Sequence, residues 1–412
     1  MKRAIVYSGG GSRGAYECGA WQAIDELGIR LDGAYGTSIG AINAALTAQG
    51  DLDQAVRLWD TITLKQVLGA VDEEDFSVDH MISRKRDIVP FLLENAKNFR
   101  MDVGPLMELL HNNIDEGKIR ASGKALGMML TRVPSLTGRD VRLADIPQGR
   151  LAEYVLASAS CFPVFPMCVI DDERYIDGGY SDNMPIGMAL ADGAEEIIAV
   201  DIHPQPTHPE FTRMPFLKLI HPLHELGNFL DFNPARLRRS RMMGYYDAMK
   251  AYDRFDGIRY TFARVNDLQI ADAARRYAAR IGAFEAGAVR RNGDAALISA
   301  LGSETPLRML SWKEMLLRGL ELCAQIMCFR EDAIYDMDQL TDRILTFVRS
   351  GDEVDTSDRG FAEAMRADGR TQMRYLYRAL RADDAFAAGN ERKLSEMSAA
   401  AAAAMYLLAV EG

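Results

Sequence analysis

The sequence predicts an α/β fold followed by a helical region, and three observations lead to this prediction. The first half alternates short apolar stretches with segments of helical periodicity, as a sheet covered by helices does. Glycine-rich loops follow two of the predicted strands, at 9–14 and 36–40. From about residue 265 onward only helical periodicity is evident, interrupted by turn signals. We therefore expect two domains, 1–264 and 265–412.

The elements of the first half follow from their apolar patterns and flanking glycines. The expected strands are at 3–7, 33–35, 154–158 and 197–201. The expected helices are at 14–26, 41–49, 53–68, 86–98 and 103–113. The segment 203–234 differs, because it holds six prolines and four of the six histidines. We interpret it as a long irregular excursion, a feature that is often a lid or a binding loop.

The sequence of the second half predicts a series of amphipathic helices. They are expected at about 270–291, 312–329, 336–349, 360–380 and 391–410. The last one, around Met405 to Val410, is too apolar to be exposed and too short to span a bilayer. We expect this all-helical domain to pack against the first domain. The last helix would be covered by neighbouring helices, by the first domain or by a second subunit.

Composition excludes several classes of protein. The chain of 412 residues has 48 basic and 59 acidic side chains, a net charge of −11, which argues against general nucleic-acid binding. The five cysteines are odd in number and form no CxxC pair, so neither a disulfide scaffold nor a structural zinc site is expected. No uncharged run offers the roughly 20 apolar residues of a membrane-spanning helix. A strand begins near residue 4, so we expect no signal peptide and a soluble, cytoplasmic protein.

The segment 36–40, Gly-Thr-Ser-Ile-Gly, has the spacing of a nucleophile elbow between a strand and a helix. A serine on such a sharp turn points its Oγ out of the sheet, and flanking glycines let the two backbones pass closely. The following helix directs its positive N-terminus toward a developing oxyanion. The alternative is a small-residue turn before a buried helix.

The segment 9–14, Gly-Gly-Gly-Ser-Arg-Gly, follows the first strand and opens the first helix. Consecutive glycines expose backbone N–H groups, which suits an oxyanion hole. The same residues also fit the dinucleotide fingerprint G-x-G-x-x-G, with Asp32 as a ribose ligand. However, that acid should follow the second strand, and Asp32 precedes it.

The third motif is Asp177-Gly178-Gly179. It could be a plain hairpin turn. As part of a site, an Asp beside two glycines can approach the serine closely, and apolar surroundings raise its pKa enough for it to accept a proton.

Together the three motifs resemble the patatin-like phospholipase family in order and spacing. Asn183 and Pro185 behind the third motif, and the stretch 157–166 before it, agree with this resemblance. It covers roughly residues 1–255, and the combination is far more specific than any single motif. No family is recognised in the last 150 or so residues.

The resemblance implies a three-layer α/β/α fold with a mostly parallel central sheet and hydrolysis of fatty-acyl esters, of the phospholipase A type. It assigns Ser38 as nucleophile and Asp177 as general base, without a histidine or a cofactor. The oxyanion hole would be formed by backbone N–H groups of Gly9, Gly10, Gly11 and Arg13. The supporting residues would be Gly14, Gly36, Gly40, Gly178 and Gly179. The implied partner is a lipid or phospholipid; no metal and no nucleic acid are expected, and oligomeric state is not predicted.

Three alternatives remain at this point. A Ser-Asp-His triad would use His203, just past a predicted strand. A metal site would combine the histidines of the excursion, His203, His208, His221 and His224, although these lack the usual partners. The function could also be that of a soluble carboxylesterase or thioesterase, or of a lipid-binding protein without catalysis.

The excursion carries unusual apolar residues, among them Met214, Phe216 and Leu230. Exposed apolar loops often contact a partner or a membrane. We therefore expect 205–233 to form a mobile flap over Ser38 that contacts the lipid surface, which would place the protein peripherally at the membrane. A loop packed on the sheet is the alternative.

Overall fold

A computed structural model describes residues 1–69, 103–162, 164–292, 296–301, 311–350, 355–383 and 386–412. The chain divides into two compact units, Met1–Tyr252 and Asp253–Gly412. The helix expected at 86–98 lies outside the described residues. Each unit has its own hydrophobic core.

A mixed, mostly parallel sheet of eight strands is the centre of the first unit, in the order β5-β6-β3-β2-β1-β7-β8, with β4 beside β3. The strands are β1 Arg3–Tyr7, β2 Gly33–Thr37, β3 Ala125–Val133, β4 Thr137–Arg142, β5 Cys168–Ile170, β6 Glu173–Asp177, β7 Glu196–Val200 and β8 Leu217–Ile220. The pairs β2-β1, β1-β7, β7-β8 and β2-β3 are parallel.

Helices lie on both faces of this sheet, which confirms the predicted three-layer fold. They are α1 Gly14–Glu26, α2 Ile39–Gln49, α3 Leu52–Thr61, α4 Leu64–Leu68, α5 Gly104–Asn113, α6 Glu116–Ser122, α7 Leu151–Ser158, α8 Ile186–Ala191 and α9 Pro234–Ala251. On one face Val6 and Ala199 pack against Met188 of α8. On the other face the Tyr7 hydroxyl hydrogen bonds to Thr47 of α2 at 2.9 Å. Both faces are buried, so the strands read as continuous apolar runs.

Strand β3 brings the ends of β2 and β6 together. Its residues 127–132 pair with β4 along one edge, so β2 and β6 share the other edge. There β2 ends with Thr37 opposite Met129, and the antiparallel β6 ends with Asp177 opposite Leu130. Two strands that run toward each other therefore finish at adjacent residues of β3.

Two predictions for the first unit were wrong. Residues 154–158 belong to helix α7, because buried residues recur at Leu151, Tyr154, Val155 and Ser158, a helical spacing that begins before the apolar run. The excursion is only partly irregular, since Leu217–Ile220 forms β8, the parallel edge strand beside β7.

In the part of the second unit that the structure describes, the elements are helices and one short parallel pair, β9 Thr261–Phe262 and β10 Ile334–Tyr335. Strand β10 contradicts the expectation of helices alone after residue 265. Its helices are α10 Asp267–Asn292, α11 Ala296–Ala300, α12 Trp312–Ile326, α13 Met337–Arg349, α14 Asp358–Met365, α15 Gly369–Ala382, α16 Phe386–Gly389, α17 Glu391–Glu396 and α18 Ser398–Glu411. Helices of the same unit cover α18, whose residues 400–409 are all buried. The Tyr406 hydroxyl in α18 hydrogen bonds to Thr341 of α13 at 2.8 Å.

Candidate functional site

Ser38 lies on a strained turn between β2 and α2. Its φ of 57° and ψ of −125° lie outside the regions that L-residues usually adopt. The turn is possible because Gly36 and Gly40 flank it: a Cβ on Gly36 would lie 2.1 Å from the Gly40 carbonyl oxygen, and one on Gly40 would lie 2.6 Å from that of Ser8. The two glycines let three backbone segments pass closely beneath the serine.

Asp177 is the side chain that meets Ser38. The Ser38 Oγ donates a hydrogen bond to Asp177 Oδ2 at 2.5 Å, and Asp177 Oδ1 accepts the Gly179 N–H at 2.8 Å. Only 5% of Asp177 is exposed. Burial raises the pKa of Asp177 to about 6, against the lowering effect of the hydrogen bonds from Ser38 and Gly179. The carboxyl is therefore ionised near neutral pH yet more basic than an ordinary aspartate.

Glycines 178 and 179 make room for this contact. A Cβ on Gly178 would lie 2.2 Å from the Met129 carbonyl oxygen, and one on Gly179 would lie 2.7 Å from Asn183 Oδ1. The segment forms a 3-10 turn, Gly178–Tyr180, rather than a hairpin turn.

The glycine loop after β1 is held on both sides. The Gly9 N–H donates to the Asn183 carbonyl at 3.1 Å, and the Ser12 N–H donates to the Phe229 carbonyl at 2.7 Å. Within the described part of the chain, the N–H groups of Gly10 and Gly11 have no acceptor. Both glycines line the same cavity as Ser38. Of the predicted oxyanion-hole donors, Gly9 is thus already engaged, and Gly10 and Gly11 are available.

Two further motif residues have packing roles. The Arg13 Nε donates to the Gly227 carbonyl at 2.9 Å, which ties the loop to the excursion, and Arg13 also lines the cavity. At Gly14, a Cβ would lie 2.6 Å from Ile39 and 2.8 Å from the Trp59 ring.

Ser158 lies in the stretch 157–166 that agrees with the resemblance, but its role in the site was not predicted. Its Oγ accepts the Ser38 N–H at 3.1 Å and donates to the Met129 carbonyl at 2.8 Å. The backbone amide of the serine elbow is thereby tied to α7 and β3. A serine at the end of an apolar run carries no signal of such a role.

A cavity of about 1080 Å³ opens beside Ser38 and Asp177. Its polar lining comes from the glycine loop, from Ser38, from the segment that begins at Asp177 and from the residues after β7. Much of the remaining lining is apolar and comes from α2–α5, namely Ile39, Ile42, Leu58, Trp59, Ile62, Val67, Leu106 and Leu109. A chamber of this kind accepts an apolar chain and holds its polar end against the glycine loop.

Among the described residues, Ser38 hydrogen bonds to Asp177 and Ser158 and to none of the histidines of the excursion. His203 Nδ1 lies 2.8 Å from Asp201, and His208 lies between Asp182 (3.0 Å) and Glu210 (2.8 Å). Hydrogen bonding to Asp182, opposed by burial and supported by Glu210, raises the pKa of His208 to about 9. The part of the chain that the structure describes contains no group of three or more histidine, cysteine, aspartate or glutamate side chains placed to hold a metal.

The alternative ribose ligand, Asp32, lies at the opposite end of the strands. It precedes β2, and its Oδ2 accepts the N–H of Arg3, the first residue of β1, at 2.8 Å. The glycine loop follows the last residue of β1, so Asp32 cannot serve a nucleotide bound there.

Comparison with known protein families agrees with this geometry. The family model described as "Patatin-like phospholipase" matches residues 5–190. Residues 5–190 are a patatin-like phospholipase domain. The match includes the elbow, the glycine loop and the Asp-Gly-Gly turn, and the resemblance inferred from the sequence is confirmed.

Several curated proteins are similar to about half of this chain. Lysophospholipase NTE1 of Mycosarcoma maydis is 23% identical over 202 residues, 49% of this chain and 10% of its own length. Patatin-like phospholipase domain-containing protein 6 of Homo sapiens is 27% identical over 208 residues, 49% of this chain and 13% of its length. An uncharacterised NTE family protein of Mycobacterium tuberculosis is 25% identical over 199 residues, 48% of this chain and 30% of its length. The similarity therefore spans about half of this chain and under a third of each of these relatives.

Among solved structures, VipD from Legionella pneumophila aligns with 99% of this chain and 90% of its own, at a TM-score of 0.39 and 16% identity.

In the described residues no helix is both long and apolar enough to cross a membrane.

Proposed function

We propose that the protein is a lipid acyl hydrolase of the phospholipase A type, with Ser38 as nucleophile and Asp177 as general base. The observation that carries the proposal is the 2.5 Å hydrogen bond between Ser38 Oγ and a buried carboxylate at the edge of a large apolar cavity. The patatin-like domain and the lysophospholipase among the relatives support a lipid ester as substrate. We place this activity in the hydrolase domain predicted at 1–264.

In the proposed reaction the acyl chain lies in the apolar part of the cavity. Ser38 Oγ attacks the ester carbonyl carbon while Asp177 takes the hydroxyl proton. The N–H groups of Gly10 and Gly11 stabilise the oxyanion of the tetrahedral intermediate, together with the Arg13 backbone. Asp177 then passes the proton to the departing alkoxide. A water molecule, deprotonated by the same carboxylate, attacks the acyl-enzyme; the acyl–Oγ bond breaks, the fatty acid leaves and Asp177 returns the proton to Ser38 Oγ.

The proposed setting is a cytoplasmic enzyme that meets its substrate at a membrane surface. The excursion supports this placement, because Phe229 and Leu230 line the cavity while Met214 and Leu223 are exposed. Apolar side chains of one segment would then contact lipid at the point where a lipid enters the cavity.

The test is covalent labelling combined with product analysis. We expect a fluorophosphonate to label the wild-type chain at Ser38, and phospholipid vesicles to release fatty acid. Ser38→Ala and Asp177→Asn should each lower turnover by a factor of about ten thousand or more, as removal of a nucleophile or base does in other serine hydrolases. Circular dichroism should show both variants folded.

The same assay separates the alternatives. Labelling with turnover of short soluble esters but not of vesicles would favour a carboxylesterase or thioesterase. Vesicle binding without labelling would favour a lipid-binding protein. Near-wild-type turnover by a folded Ser38→Ala or Asp177→Asn variant would exclude the dyad.

A further inference from the structure

His203 lines the same cavity as Ser38, and the buried carboxylate of Asp201 lies behind its ring. Asp201 directly follows β7 and is completely buried. One of its oxygens accepts the His203 backbone N–H at 3.1 Å and faces the His203 ring Nδ1 at 2.8 Å; the other accepts the Thr207 N–H at 2.6 Å. These hydrogen bonds fix both the carboxylate and the ring.

The charge of Asp201 determines which ring nitrogen of His203 carries a proton. Burial alone would raise the pKa of Asp201, but the hydrogen bonds from His203 and Thr207 outweigh it and hold the pKa below its usual value. An ionised carboxylate only accepts hydrogen bonds, so His203 Nδ1 carries a proton. Nε2 is left as the second polar atom of the ring, and within the described residues it has no partner. His203 lines the cavity.

The sheet order places this ring on a definite side of Ser38. The strands β2, β1 and β7 are neighbours and parallel, so Ser38, the glycine loop and His203 follow one another along one edge. The backbones at the ends of β2 and β7 are two strand spacings apart, roughly 10 Å, and the Ser38 Oγ donates its hydrogen bond to Asp177 rather than to His203. The apolar lining comes mainly from α2–α5, whereas the polar Gln205 and Thr207 line the cavity with His203 in the segment that follows β7.

An ester held across the glycine loop would therefore divide between two environments. The acyl chain fits the apolar side, and the alcohol half of the molecule lies toward His203. Of the described side chains that line the cavity, Asp177 is the one carboxylate, and it is engaged with Ser38. Arg13 adds a guanidinium to the lining. This end of the cavity suits an anion, although the chain as a whole has a net charge of −11.

We propose that His203, held by Asp201, binds the phosphate on the alcohol half of the substrate through Nε2. The inference rests on the proposed function and deepens it, because it selects phosphate-bearing esters over uncharged ones. In this contact Nε2–H donates to a phosphate oxygen, while Nδ1–H on the other side of the ring donates to Asp201. No proton transfer to or from the reacting atoms is assigned to His203.

The test compares two substrates that share an acyl chain and differ in the phosphate: oleoyl lysophosphatidic acid and monooleoylglycerol, both in neutral detergent micelles. For His203→Ala we expect KM for the phosphate ester to rise about tenfold, the usual effect of losing one charge-assisted hydrogen bond. KM for monooleoylglycerol, and kcat for both, should change by less than about twofold. His203→Gln keeps a side-chain N–H donor and should recover part of the lost KM.

His111→Ala is the matched control, because His111 is exposed on α5 and does not line the cavity. Thermal melting of each variant tests whether it is folded. If His203→Ala does not fold, His203→Gln alone decides: KM should rise for the phosphate ester only, and by less than is expected for His203→Ala.

Equal KM changes for the two substrates, or none, would overturn the proposal. A loss of kcat of about a thousandfold on both would also overturn it and make His203 a member of a triad. The proposed function fails separately, and this inference with it, when the wild-type chain hydrolyses neither substrate.

Discussion

At the scale of single residues, the candidate site depends on one buried carboxyl group. Asp177 is nearly inaccessible and has two hydrogen-bond donors, Ser38 Oγ and the Gly179 N–H. An exposed aspartate would be too weak a base for a serine hydroxyl. Burial supplies the missing basicity, and the two donors keep the group ionised at neutral pH.

The pH dependence of hydrolysis should report this carboxyl. A general base works only when ionised, and burial raises the pKa of Asp177 to about 6. We therefore expect kcat/KM to increase about tenfold per pH unit below that value and to level off above it. The measurement is kcat/KM on a soluble ester between pH 4 and 8. A rise of kcat/KM centred near pH 4, or a kcat/KM that does not change with pH, would contradict the assignment.

The same shift predicts a stability difference. Between about pH 4 and 6 the folded chain keeps a proton on Asp177 that the unfolded chain releases, so stability falls as pH rises through this window. A shift of about two pKa units corresponds to about 3 kcal/mol. The amide that replaces the carboxyl in Asp177→Asn does not titrate and can still hydrogen bond to Ser38 and Gly179. The variant should therefore gain up to about 3 kcal/mol over wild type from pH 4 to pH 8.

Urea denaturation of both proteins at the two pH values measures this difference. The two proteins share every other titratable group, so the contributions of those groups cancel in the difference between their free energies of unfolding. A difference that does not depend on pH would show that the carboxyl has an ordinary pKa in the folded chain.

At the scale of elements, the first unit depends on a very close crossing of α1 and α9. A Cβ on Gly19 of α1 would lie 1.8 Å from the Arg241 carbonyl oxygen, and one on Gly244 of α9 would lie 1.9 Å from that of Tyr16. Each helix thus places a glycine against the backbone of the other. The contact matters for the site, because α1 begins directly after the glycine loop and α9 follows the excursion.

Gly19→Ala should be strongly destabilising. The methyl group cannot fit without separating the helices, and overpacking of this kind lowers the free energy of unfolding by about 3 kcal/mol. Gly187→Ala in α8 is the matched control: it is an exposed helical glycine with no atom within 4 Å of the added Cβ. It should be neutral or stabilising by up to about 1 kcal/mol. Equal effects in urea denaturation would show that the α1–α9 contact is not tight.

At the scale of the whole molecule, the second unit begins before its first long helix. The carboxylate of Glu321, on α12, accepts the backbone N–H groups of Ile258, Arg259 and Tyr260 at 2.6, 2.8 and 3.0 Å. Tyr260 and Phe262 are buried in the helical core, and β9 pairs with β10. Residues 253–264 therefore belong structurally with the helices. The functional division of the chain at 264 stays a prediction.

Two fragments test this organisation. The fragment 253–412 should be helical and should melt cooperatively. The fragment 265–412 lacks the three donors to Glu321 and two buried aromatic side chains, a loss of at least about 5 kcal/mol. Because that equals the whole stability of many domains, we expect it not to fold cooperatively. Identical thermal melts by circular dichroism would contradict this prediction.

The motifs that carry the chemistry, strands β1, β2 and β7 and the long helices of the second half could be predicted from the sequence alone. Gly36, Gly40 and the glycine loop were predictable because backbone crowding leaves no other residue possible, and such constraints are local. The helices of the second half were predictable because an apolar stripe at helical spacing is also a local property.

Features that depend on residues distant in the chain could be known only from the tertiary structure. Only the pairing of β2 and β6 with β3 places Asp177 against Ser38, 139 positions away. Burial of Asp177, which raises its pKa, depends on the folded chain, and so does the sheet order that brings His203 into the cavity of Ser38. The helix at 151–158 was mistaken for a strand for the same reason, since a short apolar run fits either structure until its neighbours are known.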